Sequence, residues 1–146
     1  MPANIRIVLL RSTDHAVSFS YVSELLAPTD SLRVGGSKPQ INAPDLFVAG
    51  GREYLIASPA GPVTLQQGSF DGYTGCIVFD MPDTDHVARD CLGKPRVVRS
   101  ILGPTGQFIG ACTFAEGATG AGYLVPEGVF SGARPFRVLR PGIAGP

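Results

Sequence analysis

The apolar residues of this 146-residue chain fall in short runs that are separated by glycine and proline. Runs of this length, bounded by turn-forming residues, predict β-strands rather than helices. Residues 16–27 show the clearest pattern: Val17, Phe19 and Tyr21 alternate with serines, which predicts a half-buried strand. About ten such runs occur, at residues 4–11, 16–27, 45–49, 53–58, 62–67, 75–80, 96–102, 107–114, 122–126 and 136–140.

Glycine and proline, with 19 and 13 residues, are spread along the chain and are not pooled in one linker. Gly50 and Gly51 lie between two of the runs, as the turn residues of a tight hairpin do. Long helices alternating with strands, which nucleotide-binding α/β folds require, are not visible. We therefore predict one all-β domain over residues 1–140, a sandwich, jelly roll or barrel of about ten short strands, followed by an extended C-terminal arm at 141–146.

One short helix is predicted near residues 84–92. Asp83 or Thr84 would cap its N-terminus, and acidic residues follow in the first turn, where the helix dipole favours them. Gly93 and Pro95 would end the helix, because glycine accepts the left-handed conformation after the last turn and proline cannot continue it. The side chains expected to face the core are Val87, Cys91 and Leu92.

Residues 103–122 contain six glycines, a number that suggests a phosphate-binding loop. A P-loop needs a lysine followed by Ser or Thr at the start of a helix, and this stretch has no lysine or arginine. The glycine pattern of dinucleotide-binding folds is also missing. We therefore predict that these glycines form turns around a strand, with Gly110 at a bulge or a close backbone contact.

Charged residues make up only 16% of the chain, below the usual quarter, and apolar residues 44%, which excludes intrinsic disorder. The net charge of zero gives no field that would draw the chain to nucleic acid or to an acidic membrane. The charges are uneven, because residues 1–93 carry six Lys or Arg against ten Asp or Glu, and residues 94–146 carry six against two. Either two faces of one domain or head-to-tail complementarity between copies accounts for this division.

The chain has three cysteines, an odd number, and no C-x-x-C pair. Cys76 and Cys112 lie within apolar runs, where a free cysteine behaves as a small buried side chain. We therefore predict that these two and Cys91 are all reduced and unlinked, as suits a reducing compartment such as the cytoplasm. The apolar run from Ile7 to Leu10 is too short for a signal-peptide core or a membrane span.

The densest group of chemically capable side chains is Asp80, Asp83, Asp85, His86, Asp90 and Cys91. On the predicted helix His86 and Asp90 would share a face, the geometry of a divalent metal site or of a base oriented by a carboxylate. Carboxylates are also ordinary at a helix N-terminus, and no second histidine lies nearby. We predict that this group binds neither a metal nor another cofactor.

The other histidine, His15, follows Asp14 in a turn that begins with Ser12. A pairing of Ser12 with His15 would suit a hydrolase, but the sequence has no G-x-S-x-G elbow. We predict no catalytic residue and no enzymatic activity. A small β-barrel enzyme that uses His15 or His86 is kept as the second alternative.

Arg134, Arg137 and Arg140 recur every third residue near the C-terminus. Three arginines with no lysine among them are too few basic residues to indicate a nucleic-acid-binding surface. Arginine is, however, enriched at protein interfaces. Within 141–146 the one sizeable apolar side chain is Ile143, which is too little to anchor the arm to its own core. We predict that these three arginines and Ile143 are interface residues.

We predict that the protein is a structural subunit of a large symmetric assembly, most specifically a virus or phage particle component such as a capsid decoration (cement) protein. The basis is analogy of fold class, since glycine- and proline-punctuated β domains of this size are common in such assemblies. The expected partners are copies of the chain and a larger protein lattice, within a virion assembled in the cytoplasm. The first alternative is a small-ligand or carbohydrate-binding β module, which would show a concave pocket lined by aromatic residues.

Overall fold

The structure is a computed structural model, and it describes residues 5–34, 40–60, 63–64, 69–70, 75–101, 108–117, 120–125, 127–128 and 137–139. Within these ranges the chain forms antiparallel strands and one short helix, which confirms the predicted all-β class. The strands are β1 (Ile7–Arg11), β2 (Ser20–Leu26), β3 (Gln40–Ala49), β4 (Arg52–Ala60), β5 (Val63–Thr64), β6 (Ser69–Phe70), β7 (Cys76–Met81), β8 (Val97–Ile101), β9 (Phe108–Ile109), β10 (Thr113–Gly117), β11 (Gly120–Val125), β12 (Glu127–Gly128) and β13 (Arg137–Leu139). The helix is α1 (Pro28–Val34). The predicted arm at 141–146 lies outside the described residues.

A four-stranded antiparallel sheet with the order β3-β4-β7-β8 forms the centre of the molecule. Gly50 and Gly51 join β3 to β4 with φ angles of 58° and 75°. A two-residue type I′ turn requires positive φ at both positions, and glycine adopts it without steric cost. The predicted hairpin is therefore confirmed. Within the described ranges, four smaller sheets accompany the central one: β1-β2, β10-β11-β13, β9-β12 and β5-β6.

The central strands β4 and β7 are buried on both faces, because their alternate side chains enter two different apolar clusters. This double burial explains why both strands are apolar almost without interruption. The first cluster contains Ile7, Leu25, Leu26, Ile41, Leu55, Ala57, Ile77, Phe79, Met81 and Val87. The second contains Tyr54, Ile56, Cys76, Val78, Ile101 and Cys112, against which Phe47, Ala49 and Phe114 pack.

The β1–β2 hairpin covers the first cluster. Ile7 from β1 and Leu25 and Leu26 from β2 are buried in it. The half-buried alternation predicted for residues 16–27 is not observed. β2 begins only at Ser20, residues 15–21 are all exposed, and exposure falls along the strand to the buried Leu25 and Leu26. Burial therefore follows distance from the turn, which the spacing of apolar residues did not indicate.

The helix is not where the sequence predicted it. α1 begins at Pro28, whose fixed φ suits the first helical position, and Asp30 Oδ2 accepts the Ala27 N–H at 2.8 Å to satisfy a donor at the helix start. No helix among the described residues is long and apolar enough to cross a membrane.

The prediction of a helix near 84–92 is wrong, because carboxylates capture the backbone donors that a helix would use. Asp83 Oδ1 accepts the Asp85 N–H at 2.9 Å, and Asp90 Oδ1 accepts the N–H groups of Leu92 and Lys94 at 2.9 Å. Side-chain bonds of this kind stabilise turns in competition with helix. Of the three side chains expected in the core, Val87 is buried, whereas Cys91 is exposed and Leu92 is 81% exposed.

The prediction of three unlinked cysteines is also wrong, since Cys76 and Cys112 form a disulfide with their Cα atoms 6.2 Å apart. Both residues belong to the second apolar cluster, where the fold brings two distant apolar runs together. Cys91 is the cysteine that remains free. The bond joins Cys76 on β7 to Cys112, the residue before β10. It therefore links the central sheet to the segment that packs against it in the second apolar cluster.

Candidate interaction surface

The β1–β2 hairpin carries a row of apolar side chains that face solvent. Val8 and Leu10 are 37% and 50% exposed, Val17 and Phe19 are 84% and 59% exposed, and Tyr21 is 64% exposed. We refer to these five residues as the hairpin face. Single exposed apolar residues are ordinary, whereas a contiguous apolar patch on a soluble domain marks a contact surface.

The strand register brings Leu10 and Tyr21 of the hairpin face together. Tyr21 lies directly opposite Leu10 in the antiparallel pair, so that the two side chains share a face. Val8 precedes Leu10 by two residues and Phe19 precedes Tyr21 by two, the spacing at which an extended chain returns to the same side. Ile7, on the other side, is buried. The hairpin is therefore apolar on both sides, and only one side is buried.

One carboxylate holds the turn that presents Val17. Asp14 Oδ1 accepts hydrogen bonds from the Ser12 hydroxyl at 2.7 Å and the Ser18 N–H at 2.9 Å, and Oδ2 accepts the Ser18 hydroxyl at 2.6 Å. Ser12 Oγ in turn accepts the Ala16 N–H at 2.8 Å. These bonds, above all that from the Ser18 hydroxyl, hold the pKa of Asp14 well below its usual range. The turn is thus fixed in one conformation although it is exposed.

The same turn contains two strained residues. His15 and Ala16 have φ angles of 59° and 66°, in the left-handed region that residues with a Cβ rarely adopt. Each costs roughly 1–2 kcal/mol relative to a right-handed conformation. Backbone strain of this kind concentrates at functional contact sites, where the surrounding structure maintains it. Here the hydrogen bonds of Asp14 maintain it, and Val17 and Phe19 are displayed as a result.

Two basic side chains beside the hairpin face are paired with carboxylates of the chain. Arg6 forms an ion pair with Glu24 at 3.0 Å, and Arg11 forms one with Asp85 at 2.5 Å. The Ser23 hydroxyl donates to the Asp85 carbonyl oxygen at 2.6 Å, which joins β2 to the loop between β7 and β8. The hairpin face is therefore bordered by paired charges of both signs.

The structure does not form the serine–histidine pair that the sequence raised. The Ser12 hydroxyl donates to Asp14, and its oxygen accepts the Ala16 N–H, so that it supports the turn. The pairing of His86 with Asp90 is not formed either. His86 Nδ1 donates to Asp83 Oδ1 at 2.9 Å, and this bond lowers the pKa of Asp83.

The acidic cluster predicted from the sequence divides into separate ion pairs. The Asp80 carboxylate is buried. Its Oδ1 accepts a hydrogen bond from Arg52 at 2.7 Å, and its Oδ2 lies 3.5 Å from the guanidinium of Arg96. Asp85 pairs with Arg11, as described above. Across the residues that the structure describes, no group of three or more His, Cys, Asp or Glu is arranged to hold a metal ion.

A second buried carboxylate ties α1 to the loop after β7. Arg89 makes two parallel hydrogen bonds of 2.9 Å to the Asp30 carboxylate, which raise the pKa of the guanidinium. Arg89 also donates to the carbonyl oxygens of Gly93 at 2.9 Å and Leu25 at 3.3 Å. This ion pair is a structural clamp that fixes α1 beside the hairpin.

The predicted C-terminal interface residues are not tested by the structure. Arg137 begins β13, where its backbone pairs with Val125, and its side chain is not described. Arg134, Arg140 and Ile143 lie outside the described residues. Comparison of the chain with protein-family models, curated proteins and solved structures gives no match.

Sequence reasoning missed the hairpin face, although a signal for it was present. The run from Ile7 to Leu10 is apolar at four consecutive positions, so that both sides of β1 are apolar. In a two-stranded hairpin, one of those sides has no second layer from the hairpin itself. Combining that run with the alternation of Phe19 and Tyr21 would have indicated an apolar outer face.

Proposed function

We propose that this protein is a structural subunit of a large symmetric assembly, and in its specific form a virus or phage particle component such as a capsid decoration protein. The observation that carries the proposal is the hairpin face: five exposed apolar side chains on one hairpin, whose turn is held by the hydrogen bonds of Asp14. A prearranged surface binds a protein partner at a lower entropic cost than a mobile one. The specific form rests on analogy with small all-β domains of this kind.

The C-terminal residues extend the proposal. Arg134, Arg137 and Arg140 supply a side chain favoured at interfaces, and Ile143 supplies an apolar contact. Deleting residues 141–146 should leave the melting temperature of the isolated subunit within a few degrees and weaken self-association or attachment to a lattice. Unfolding of the isolated subunit with unchanged association would assign these residues to the domain itself.

The experiment that tests the proposed function is fractionation of a lysate from the source culture on a density gradient, with detection of the chain by antibody and of particles by electron microscopy. We expect the chain in fractions that contain regular particles, in many copies per particle. Phe19→Ser should release it, whereas Val48→Ser, at a comparably exposed position on β3, should not. A chain found only in low-mass fractions would contradict the proposal.

A second candidate, a small-ligand-binding module, has one observation in its favour. A cleft of about 380 Å³ lies beside the β3–β4 turn, between Gly51, Arg52 and Glu53 on one side and Pro82 to Thr84 on the other. No aromatic residue lies among the described residues that line it, and it is open to solvent. A ligand site of this type would show saturable binding that Glu53→Gln changes and Phe19→Ser does not.

A further inference from the structure

We propose that the hairpin face docks against the same face of a second copy of this chain, as a two-fold symmetric pair whose axis passes near Leu10 and Tyr21. This pairing rests on the proposed function, because it names the partner that the proposed contact surface takes. It goes further in that it specifies self-contact through identical surfaces, which a lattice of a different protein does not require.

The first support is area. Large aromatic side chains bury about 150–250 Å² each, so Phe19 and Tyr21 at their observed exposures present roughly 250 Å², and the three aliphatic residues together add about as much. Two copies packed face to face would remove about 1,000 Å² from water, close to the lower limit of specific interfaces. Repeated contacts in an assembly would strengthen the association through such an interface.

The second support is charge. A surface that meets a copy of itself must not bring like charges together, because such juxtaposition is costly. The five residues of the hairpin face carry no charge, Glu24 opposite Val8 is paired with Arg6, and Arg11 is paired with Asp85. The Asp14 carboxylate lies at the turn end of the hairpin, so that an axis near Leu10 and Tyr21 keeps the two copies of Asp14 apart. The whole chain has a net charge of zero, so that no long-range repulsion keeps two copies apart.

The third support is the arrangement of the face. Tyr21 and Leu10 lie opposite each other in the register, with Val8 towards one end of the hairpin and Phe19 and Val17 towards its turn. An antiparallel face-to-face pair would place the central residues of both copies beside the axis. The fixed Asp14 turn keeps the ends of the face in position for such a contact.

The test is a charge pair at the centre of the face, in the full chain. Tyr21→Glu and Tyr21→Lys should each be monomeric in sedimentation equilibrium at concentrations where the wild-type chain associates, because like charges would meet across the axis. An equimolar mixture should recover association, and mass spectrometry under native conditions should show mixed pairs. Val48→Glu and Val48→Lys are the matched controls and should associate as the wild-type chain does.

Melting curves of the two Tyr21 variants should match that of the wild-type chain, since the side chain is exposed; if either variant is unfolded, the same charge pair is placed at Leu10. Pairing is overturned if the wild-type chain stays monomeric, if each charged variant associates normally, or if the mixture fails to recover association. A monomeric chain that still joins particles through Phe19 would overturn the pairing and leave the proposed function standing. A wild-type pair that is never found in particles would do the reverse.

Discussion

Strands β1 and β4 carry the same sequence signature and have different surroundings. Residues 7–10 (IVLL) and 54–57 (YLIA) are both apolar at four consecutive positions. In β4 the consecutive residues Leu55 and Ile56 enter two different clusters, and both are fully buried. In β1 Ile7 is buried, while Val8 and Leu10 are exposed.

The comparison shows that a continuous apolar run predicts two apolar faces and does not determine what covers them. β4 is covered on one side by the hairpin and α1 and on the other by the segment around Cys112. Among the residues that the structure describes, the contacts that bury side chains of the hairpin lie on its inner side. In our account the cover for its outer side comes from another molecule.

The largest expected effect comes from removing a large side chain from β7, which like β4 is buried on both faces. Phe79→Ala should lower the free energy of unfolding by about 3–5 kcal/mol, because it leaves a cavity in the first cluster. Phe19→Ala removes the same atoms from the hairpin face and should change it by no more than about 0.5 kcal/mol. Urea denaturation of both variants at low protein concentration makes the comparison. Similar losses would show that the hairpin face belongs to the core.

The disulfide should make the next largest contribution to the free energy of unfolding, because it links the central sheet to the segment around Cys112. Cys112→Ala should lower the free energy of unfolding by about 2–4 kcal/mol through loss of a cross-link between residues 36 positions apart. Cys91→Ala is the matched control and should have little effect. Thiol titration of the denatured, unreduced protein should count one free thiol. A count of three would mean that the cross-link does not form in the purified protein.

The ion pair between Arg89 and Asp30 should contribute less to the free energy of unfolding than the disulfide does. Arg89→Ala leaves the Asp30 carboxylate buried without its cation, and we expect a loss of about 1–3 kcal/mol, since Arg89 itself is partly exposed. Arg89→Lys keeps the charge but not the two parallel hydrogen bonds, and it should recover only part of the loss. Thermal melts at one pH compare the three proteins. Full recovery by lysine would contradict the bidentate geometry.

The smallest effect concerns the turn of the hairpin, and it should depend on pH. Because the folded-state pKa of Asp14 is lower than the unfolded value, its charged form stabilises the fold above the unfolded pKa, ordinarily about 3.9. This contribution should be lost as the pH falls from about 5 towards the folded pKa. Melting temperatures of the wild-type chain and Asp14→Asn should therefore converge in acid. A difference that stays constant down to pH 3 would exclude the carboxylate as its cause.

The sequence was sufficient for the fold class and for the tightest turn. Short apolar runs between turn residues gave the all-β class, and Gly50-Gly51 gave the β3–β4 hairpin because few residues tolerate two positive φ angles in succession. The helix at 84–92 was mispredicted, because Asp83 and Asp90 accept hydrogen bonds from nearby backbone N–H groups and so stabilise turns. In the sequence, an aspartate that stabilises a turn looks the same as one that caps a helix.

The candidate site was largely beyond prediction from the sequence. Which part of residues 16–27 is buried depends on packing against the central sheet, a long-range property that local spacing does not contain. The roles of Ser12 and Asp14 depend on a turn with two positive φ angles at residues other than glycine, which no sequence rule anticipated. The pairing of Cys76 with Cys112 likewise depends on which runs meet in the second cluster.

The most direct test of the central claim is the dependence of NMR chemical shifts on protein concentration in the full chain. The account predicts that shifts change with concentration at the hairpin face, at Leu10, Phe19 and Tyr21 above all. Val48 on β3 and Val98 on β8, which are also exposed apolar residues, should stay unchanged. Spectra that do not change with concentration, or changes that centre on Val48 or Val98, would contradict the claim that the hairpin face is the contact surface between copies.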